Sequence, residues 1–149
     1  MTTVSGVGFD LVDLADFART LQRSGDRFLN RIYTEAEIEY CRSQPHPSQH
    51  FAVRFAAKEA AMKALGLAGD EQISWREFEV VRKQSGAPEL VLHGEALEKC
   101  RDQRLRWLHL SLSHSLGAAG AVVIAEREQS NRSKRKRSPA AGARRHVEP

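Results

Sequence analysis

The spacing of hydrophobic residues changes several times along the chain, and each change predicts a different element. From Val4 to Leu14 (VSGVGFDLVDL) the apolar residues nearly alternate, which predicts a strand that leads to the acidic residue Asp10. The next segment, ADFARTLQRSGDRFL, has apolar residues at helical spacing and predicts a helix, with Gly25 as a candidate break.

Two further helices are predicted before the middle of the chain. Thr34 and Glu37 have the spacing of a capping box, which predicts the start of a short helix. A loop over residues 45–48 then precedes a long helix that contains RFAAKEAAMKALG, and Gly66 predicts its C-terminal end. This helix is so rich in alanine and other apolar residues that we expect it to be nearly buried.

The second half of the chain predicts mainly strands. The segments EFEVVRK and PELVLHG read as two strands joined by a turn at SGA, and GEALEKCRDQRL reads as a helix. WLHLSLSHS and AAGAVVIAE predict two more strands, separated near Gly117. We therefore expect an α+β fold in which an antiparallel β-sheet packs against the long helix and several shorter ones.

The charge is distributed unevenly along the chain. Its net charge is +4, but residues 1–126 contain 15 basic and 17 acidic side chains, so the excess of basic residues belongs to the C-terminal segment. That segment has almost no bulky apolar residues. We expect one folded domain over residues 1–126 and a disordered basic tail over residues 127–149. Its KRKR run is only a weak indication of a nucleic-acid contact, and a solvated tail is favoured.

Several classes of protein are disfavoured. No apolar segment is long enough to span a membrane, and the first residues, MTTVSGVGFD, lack the features of a secretory signal, so we expect a cytosolic protein without a membrane partner. Cys41 and Cys100 lie far apart without a CxxC spacing, which indicates neither a disulfide framework nor a zinc site.

Four charged residues interrupt the alanine-rich helix. At helical spacing Arg54 and Lys58 share one stripe, and Glu59 and Lys63 share another. One interpretation is a salt bridge between Glu59 and Lys63 on an exposed face, which stabilises a helix only slightly. The other is that the charges of a nearly buried helix belong to a functional site inside or at the edge of the core.

Four motifs support the second interpretation. In order they are GVGFDLVDL, RFAAKEAAMKALG, SGAPELVLHG and HLSLSHS, and together they resemble the holo-(acyl-carrier-protein) synthases, the small trimeric type within the 4′-phosphopantetheinyl transferase superfamily. The resemblance covers about residues 4–126. It implies a phosphopantetheinyl transferase domain that moves 4′-phosphopantetheine from coenzyme A to a serine of apo acyl carrier protein, in fatty acid or polyketide biosynthesis. A non-catalytic carrier-protein or nucleic-acid binding module that uses the basic tail is the alternative.

The resemblance also implies roles for the charged residues. Asp10 and Glu59 match the two carboxylates that hold Mg²⁺, and Lys63 matches a lysine close to the pyrophosphate of coenzyme A. These three are the expected catalytic residues, with either Glu59 or a metal-activated water as the base. Arg54 and Lys58, together with Lys63, are expected to hold coenzyme A phosphates, partly from a neighbouring subunit of a homotrimer.

Further coenzyme A contacts are implied at Gly86, Pro88, Ser113 and His114. Alternation along WLHLSLSHS places His109, Ser111 and Ser113 on one face and three leucines on the other, so a half-exposed strand face is the alternative interpretation. The adjacent Ser113 and His114 point to opposite faces, which disfavours a hydrolase dyad. This chain has Ala87 where the family usually has a lysine, so we expect one nucleotide contact to be weaker.

Carrier binding has a separate candidate surface on the first helix. Arg19, Arg23 and Arg27 form a basic stripe if the helix continues through Gly25, and such a stripe suits an acidic carrier helix. The alternative is three solvated side chains. The chain has Ala15 and Asp16 where the family is often basic, and nothing in the sequence indicates which carrier is preferred.

Overall fold

Nine helices and strands make up the described part of the chain, which in this computed structural model is residues 1–129. In chain order they are β1 (Thr2–Asp13), α1 (Leu14–Ile32), α2 (Glu35–Arg42), α3 (Pro47–Leu65), β2 (Phe78–Arg82), β3 (Pro88–Leu92), α4 (Gly94–Asp102), β4 (Leu105–His114) and β5 (Ala118–Glu128). A short 3-10 turn, Trp75–Glu77, precedes β2.

The strands form two antiparallel sheets. β1, β5 and β4 make a three-stranded sheet in the order β1-β5-β4, and β2 pairs with β3 in a hairpin. Helix α3 packs against the inner face of the larger sheet and also contacts the hairpin. The expected α+β class, with antiparallel strands on a long buried helix, is confirmed.

Local sequence signals define the helix ends as expected. Thr34 and Glu37 form a reciprocal capping box at the start of α2. Gly66 ends α3 with a φ of 70°, a left-handed conformation in which glycine carries no steric penalty. Gly25 interrupts α1 with a φ of 46° and a ψ of −134°, so the predicted break is present and α1 is two helical segments joined by a kink.

Two glycines of β1 allow α3 to lie unusually close to the sheet. A Cβ atom on Gly8 would lie 1.7 Å from the carbonyl oxygen of Ala60, and one on Gly6 would lie 1.9 Å from that of Ala64. Glycine is therefore required at both positions, because any side chain would collide with the helix backbone. Asp10 follows at the same two-residue interval and therefore shares this inner face.

The last strand extends beyond the boundary expected from the sequence. We expected the domain to end at residue 126, but β5 continues to Glu128, which pairs with Thr2 of β1. The expected disordered tail, apart from its first residues, lies outside the described residues. Within residues 1–129, no helix combines the length and the apolar character needed to cross a bilayer.

Substitution of Gly8 tests the close packing of β1 on α3. We expect Gly8→Ala to lower the free energy of unfolding by about 3 kcal/mol or more, because the added methyl group overlaps a backbone oxygen that cannot rotate away. Gly117→Ala is the matched control, since no atom of the described residues, its chain neighbours apart, lies within 4 Å of the added Cβ atom. Urea titration followed by circular dichroism measures both variants, and equal stability of the two would contradict this packing.

Candidate active site

An ion pair between β1 and α3 forms the first part of the site. Lys63 Nζ lies 3.0 Å from Asp10 Oδ1 and donates a second hydrogen bond to the carbonyl oxygen of Phe9 at 3.1 Å. Within residues 1–129 no ion pair joins Lys63 to Glu59. The interpretation of Glu59 and Lys63 as a simple helical salt bridge is therefore wrong, because the lysine reaches across to the strand.

Glu59 lies close enough to Asp10 for the two carboxylates to interact. Partial burial raises the pKa of Glu59, the negative charge of Asp10 raises it further, and Lys63 opposes both effects. No group of three or more His, Cys, Asp or Glu residues suited to a metal is found in the described part of the chain. Two carboxylates nevertheless fit Mg²⁺, which takes few protein oxygens and completes its octahedron with water and substrate phosphate.

A cavity of about 410 Å³ forms the second part of the site. It lies between α3, the β2–β3 hairpin and the end of β4. It brings together five of the seven residues that we expected to bind coenzyme A, namely Arg54, Gly86, Pro88, Ser113 and His114. Tyr40, His50 and Arg82 also line it, and the sequence analysis had singled out none of these three.

The described lining of this cavity contains basic side chains and no carboxylate. Arg54 is only 4% exposed, and its guanidinium lies over the ring of Tyr40, 4.3 Å from the centroid. Its Nε atom has no hydrogen-bond partner among the described residues. Burial lowers the pKa of His50, and the positive charges of Arg54, His114 and Arg82 lower it further. A buried cation in such surroundings favours an anionic ligand.

Comparison with known proteins identifies the family. The family model of the 4′-phosphopantetheinyl transferase superfamily matches residues 6–118. The chain belongs to this superfamily. Holo-(acyl-carrier-protein) synthase of Geobacter sp. (strain M21) is 48% identical over 124 residues, which are 83% of this chain and 99% of that protein. The synthase of Koribacter versatilis is 47% identical over 123 residues, with 83% and 98% covered.

Solved structures of superfamily members share the fold. The synthase of Neisseria meningitidis superimposes with a TM-score of 0.76 at 32% identity, covering 83% of this chain and 98% of that chain. The synthase of Helicobacter pylori, solved in complex with coenzyme A, gives a TM-score of 0.71 at 30% identity, with 80% and 98% covered. The resemblance inferred from the four motifs is thus confirmed.

Lys58 was expected to hold a coenzyme A phosphate, but it does not line the cavity. The ammonium group is fully buried and donates to Glu37 Oε2 at 2.8 Å and to the carbonyl oxygens of Trp75 and Phe78 at 3.2 Å and 2.6 Å. These three bonds use every N–H of the ammonium group, so none is left for a coenzyme A phosphate.

Glu37 completes this buried pair. Its Oε1 accepts the N–H of Val80 at 3.0 Å, and its Oε2 also accepts the N–H of Thr34 at 2.9 Å. The Lys58–Glu37 pair therefore connects α2, α3 and β2, and it anchors the hairpin that forms one wall of the cavity. The sequence contained no signal for this pairing, because the two residues are 21 positions apart.

The three arginines of α1 are exposed but do not form one continuous stripe. Arg19 makes an ion pair with Asp16 of the same helix. The non-helical backbone at Gly25 separates Arg27 from Arg19 and Arg23, so helical spacing no longer relates all three. Their role in carrier binding stays a prediction.

The outer face of the larger sheet adjoins the site. As expected, His109, Ser111 and Ser113 are exposed on this side of β4, while its leucines pack against the core. The same face of β1 carries large apolar side chains, and Val4, Val7, Phe9 and Leu11 are each more than half exposed. Because side chains alternate along β1, Asp10 lies towards α3 between two residues that lie on the outer face.

Substitution of Lys58 separates a structural role from phosphate binding. We expect Lys58→Met to lower the free energy of unfolding by about 3–5 kcal/mol, because it leaves the Glu37 carboxylate buried without its counter-charge. Lys83→Met is the control, since that lysine is half-exposed and pairs with the exposed Glu89. Thermal unfolding measures both, and a stable Lys58→Met variant with weakened coenzyme A binding would restore the phosphate role.

Proposed function

We propose that this protein transfers 4′-phosphopantetheine from coenzyme A to a serine of apo acyl carrier protein, which releases adenosine 3′,5′-bisphosphate. The observation that carries the proposal is that one helix, α3, carries both a cationic cavity and a carboxylate pair. Arg54 lines the cavity, and Glu59, five residues further along α3 and about 140° further around the helix, lies near Asp10 of β1. We place this activity in the cytoplasm, in the biosynthesis of fatty acids or polyketides.

The names of the relatives support the proposal. The Geobacter and Koribacter proteins are holo-(acyl-carrier-protein) synthases, and the Helicobacter structure holds coenzyme A. Those proteins are similar to this chain over nearly their whole length. The residues that would bind coenzyme A here are Arg54, Gly86, Pro88, Ser113 and His114, which share the cavity, together with Lys63 at the carboxylate pair.

The proposed reaction is a phosphoryl transfer. The serine oxygen of the carrier attacks the β-phosphorus of the coenzyme A pyrophosphate, and the bond from that phosphorus to the bridging oxygen breaks. The protein contributes mainly by positioning charge, because little covalent work falls to its side chains. Lys63 places its ammonium group at the edge of the carboxylate pair, where it would face the negative charge of the pyrophosphate.

Asp10 and Glu59 are the residues that would hold Mg²⁺ in this reaction. Burial raises the pKa of Glu59 and the negative charge of Asp10 raises it further, and a bound divalent cation would relieve that repulsion. When bound, Mg²⁺ would neutralise pyrophosphate oxygens and stabilise the charge on the leaving phosphate. Glu59 is one candidate to accept the serine proton, and a water molecule activated through the metal is the other.

We also propose that three copies assemble through the outer face of the β1-β5-β4 sheet. Phe9 is 56% exposed and Leu11 is 63% exposed, which is an unusual apolar surface for a monomer. Closed cyclic symmetry would cover this surface on every copy and place the active sites at the subunit boundaries. The position of Ser113 at the junction of this face and the cationic cavity supports a shared site.

The activity is tested by the mass of the carrier. We expect an apo carrier protein incubated with coenzyme A and Mg²⁺ to gain one phosphopantetheine, and chelation of the metal to abolish the gain. Glu59→Gln and Asp10→Asn should each lower the rate by a factor on the order of 10² or more, because each removes a charged oxygen from the site. Glu98→Gln is the control, since this exposed residue of α4 pairs with Arg101 and, among residues 1–129, with no other basic side chain.

Intact-mass analysis of several carriers decides the outcome. No mass gain with any carrier at saturating coenzyme A would contradict the proposed activity and favour a non-catalytic binding module. Near wild-type rates in both carboxylate variants at low Mg²⁺ would instead contradict only the proposed metal site.

The assembly is tested by a charge on the apolar face. We expect Phe9→Lys to convert a trimer into monomers and to lower the transfer rate, because a buried lysine without a partner opposes association. Glu71→Lys, in an exposed loop away from the sheet, should leave the trimer intact. Light scattering at micromolar concentration measures the mass, and a fully active wild-type monomer would contradict the proposal.

A further inference from the structure

Arg82 lines the cationic cavity, although no role was predicted for it from the sequence. Its position at the end of β2 is opposite Pro88, the first residue of β3, so it borders the tight turn of the hairpin. Its guanidinium donates from Nε and Nη2 to the carbonyl oxygen of Gly86 at 3.1 Å and 3.0 Å. The side chain is exposed, and these bonds hold it against the turn at the rim of the cavity.

Tyr40 holds the other side of the same guanidinium. Its hydroxyl oxygen accepts a hydrogen bond from Arg82 Nη1 at 2.8 Å, while the Tyr40 ring lies under the guanidinium of Arg54. Three of the five N–H groups of Arg82 are used in these contacts, and one on each terminal nitrogen is left. Paired terminal N–H groups suit the oxygens of a phosphate.

The positive charges of Arg54 and Arg82 indicate that the cavity binds an anion. Arg54 and Arg82 are both held at Tyr40, and no carboxylate lines the cavity within residues 1–129. Arg54 is buried, and within residues 1–129 no carboxylate lines the cavity to neutralise its charge, an arrangement that is costly unless an anion binds there. His50 also lines the cavity, and its pKa is lowered by burial and then by the positive charges of Arg54 and Arg82.

Arg82 also lies next to a position at which the family resemblance led us to expect a different residue. Ala87 occupies the hairpin position at which the family resemblance would place a lysine. Arg82 Nη2 reaches the carbonyl oxygen of Gly86, the residue immediately before Ala87. The positive charge that is missing on one strand of the hairpin is thus present on the opposite strand.

We propose that Arg82 binds the 3′-phosphate of coenzyme A in place of a lysine at position 87, with Tyr40 as its positioning residue. This inference rests on the proposed function, because it assumes coenzyme A as the substrate. The 3′-phosphate is assigned and not the pyrophosphate, since the pyrophosphate must reach Asp10 and Glu59, which do not line this cavity. A phosphomonoester carries between one and two negative charges at neutral pH and matches the paired arginines.

Two nucleotides that differ only in the 3′-phosphate test this assignment. Calorimetry would measure binding of adenosine 3′,5′-bisphosphate and adenosine 5′-monophosphate to the full chain. We expect Arg82→Ala to weaken binding of the bisphosphate about 10-fold to 100-fold, the scale of a lost charged hydrogen bond, and that of the monophosphate less than about 2-fold. Lys83→Ala is the matched control on the same hairpin, because Lys83 pairs with Glu89 and does not line this cavity.

Tyr40→Phe keeps the test decisive if Arg82→Ala folds poorly, and a double variant extends the test if Arg82→Ala folds well. Tyr40→Phe keeps the ring under Arg54 and removes only the hydroxyl that holds Arg82, so it should weaken bisphosphate binding about 3-fold to 10-fold. Adding Ala87→Lys to Arg82→Ala should recover at least half of the lost binding free energy. Thermal melting would establish that each variant is folded.

The outcomes separate this inference from the proposed function. Equal losses for both nucleotides, no loss for either, or no recovery in a folded double variant would overturn the role of Arg82. Wild-type protein that binds the bisphosphate but does not modify any carrier contradicts the proposed transfer while leaving the Arg82 assignment standing. Wild-type protein that binds neither nucleotide overturns both.

Discussion

The close approach of α3 to β1 determines the geometry on which the rest of the site depends. Gly6 and Gly8 have no side chains, so the backbone of the helix lies directly on the strand at Ala60 and Ala64. This contact places Lys63 within hydrogen-bonding distance of Asp10 and brings Glu59 close enough for its pKa to respond to that carboxylate. A side chain at Gly8 would separate strand and helix and so move the two carboxylates apart.

The polar residues of α3 differ in role because they differ in burial and in partners. Lys58 is wholly enclosed and satisfied by Glu37 and two carbonyl oxygens, so it stabilises the fold. Arg54 is almost as buried but lines a cavity in which no described residue contributes a carboxylate, so we propose it as a ligand-binding residue. Glu59 and Lys63 lie at the edge of the helix next to β1. One helix therefore connects the core, the cavity and the carboxylate pair.

The hairpin carries a cation on β2 at the turn where the family resemblance led us to expect one at position 87. Ala87 contributes no cation, yet the opposite strand presents Arg82 to the same turn and holds it with Gly86 and Tyr40. The distance across an antiparallel hairpin is short, so a long side chain from either strand reaches the same space. Departures from a family motif are therefore best judged against the spatial neighbours of the substituted residue.

The sequence by itself determined the features that depend on local spacing. The capping box at Thr34, the helix end at Gly66, the alternation along β4 and the family motifs were all readable, because each involves residues a few positions apart. Only the tertiary structure decided which charges pair. Arg54 and Lys58 share a helical stripe, but Arg54 lies over Tyr40 of α2 whereas Lys58 bonds to α2 and β2. Lys63 pairs with Asp10, 53 positions away. Burial and long-range contacts depend on how the elements pack, which helical periodicity does not contain.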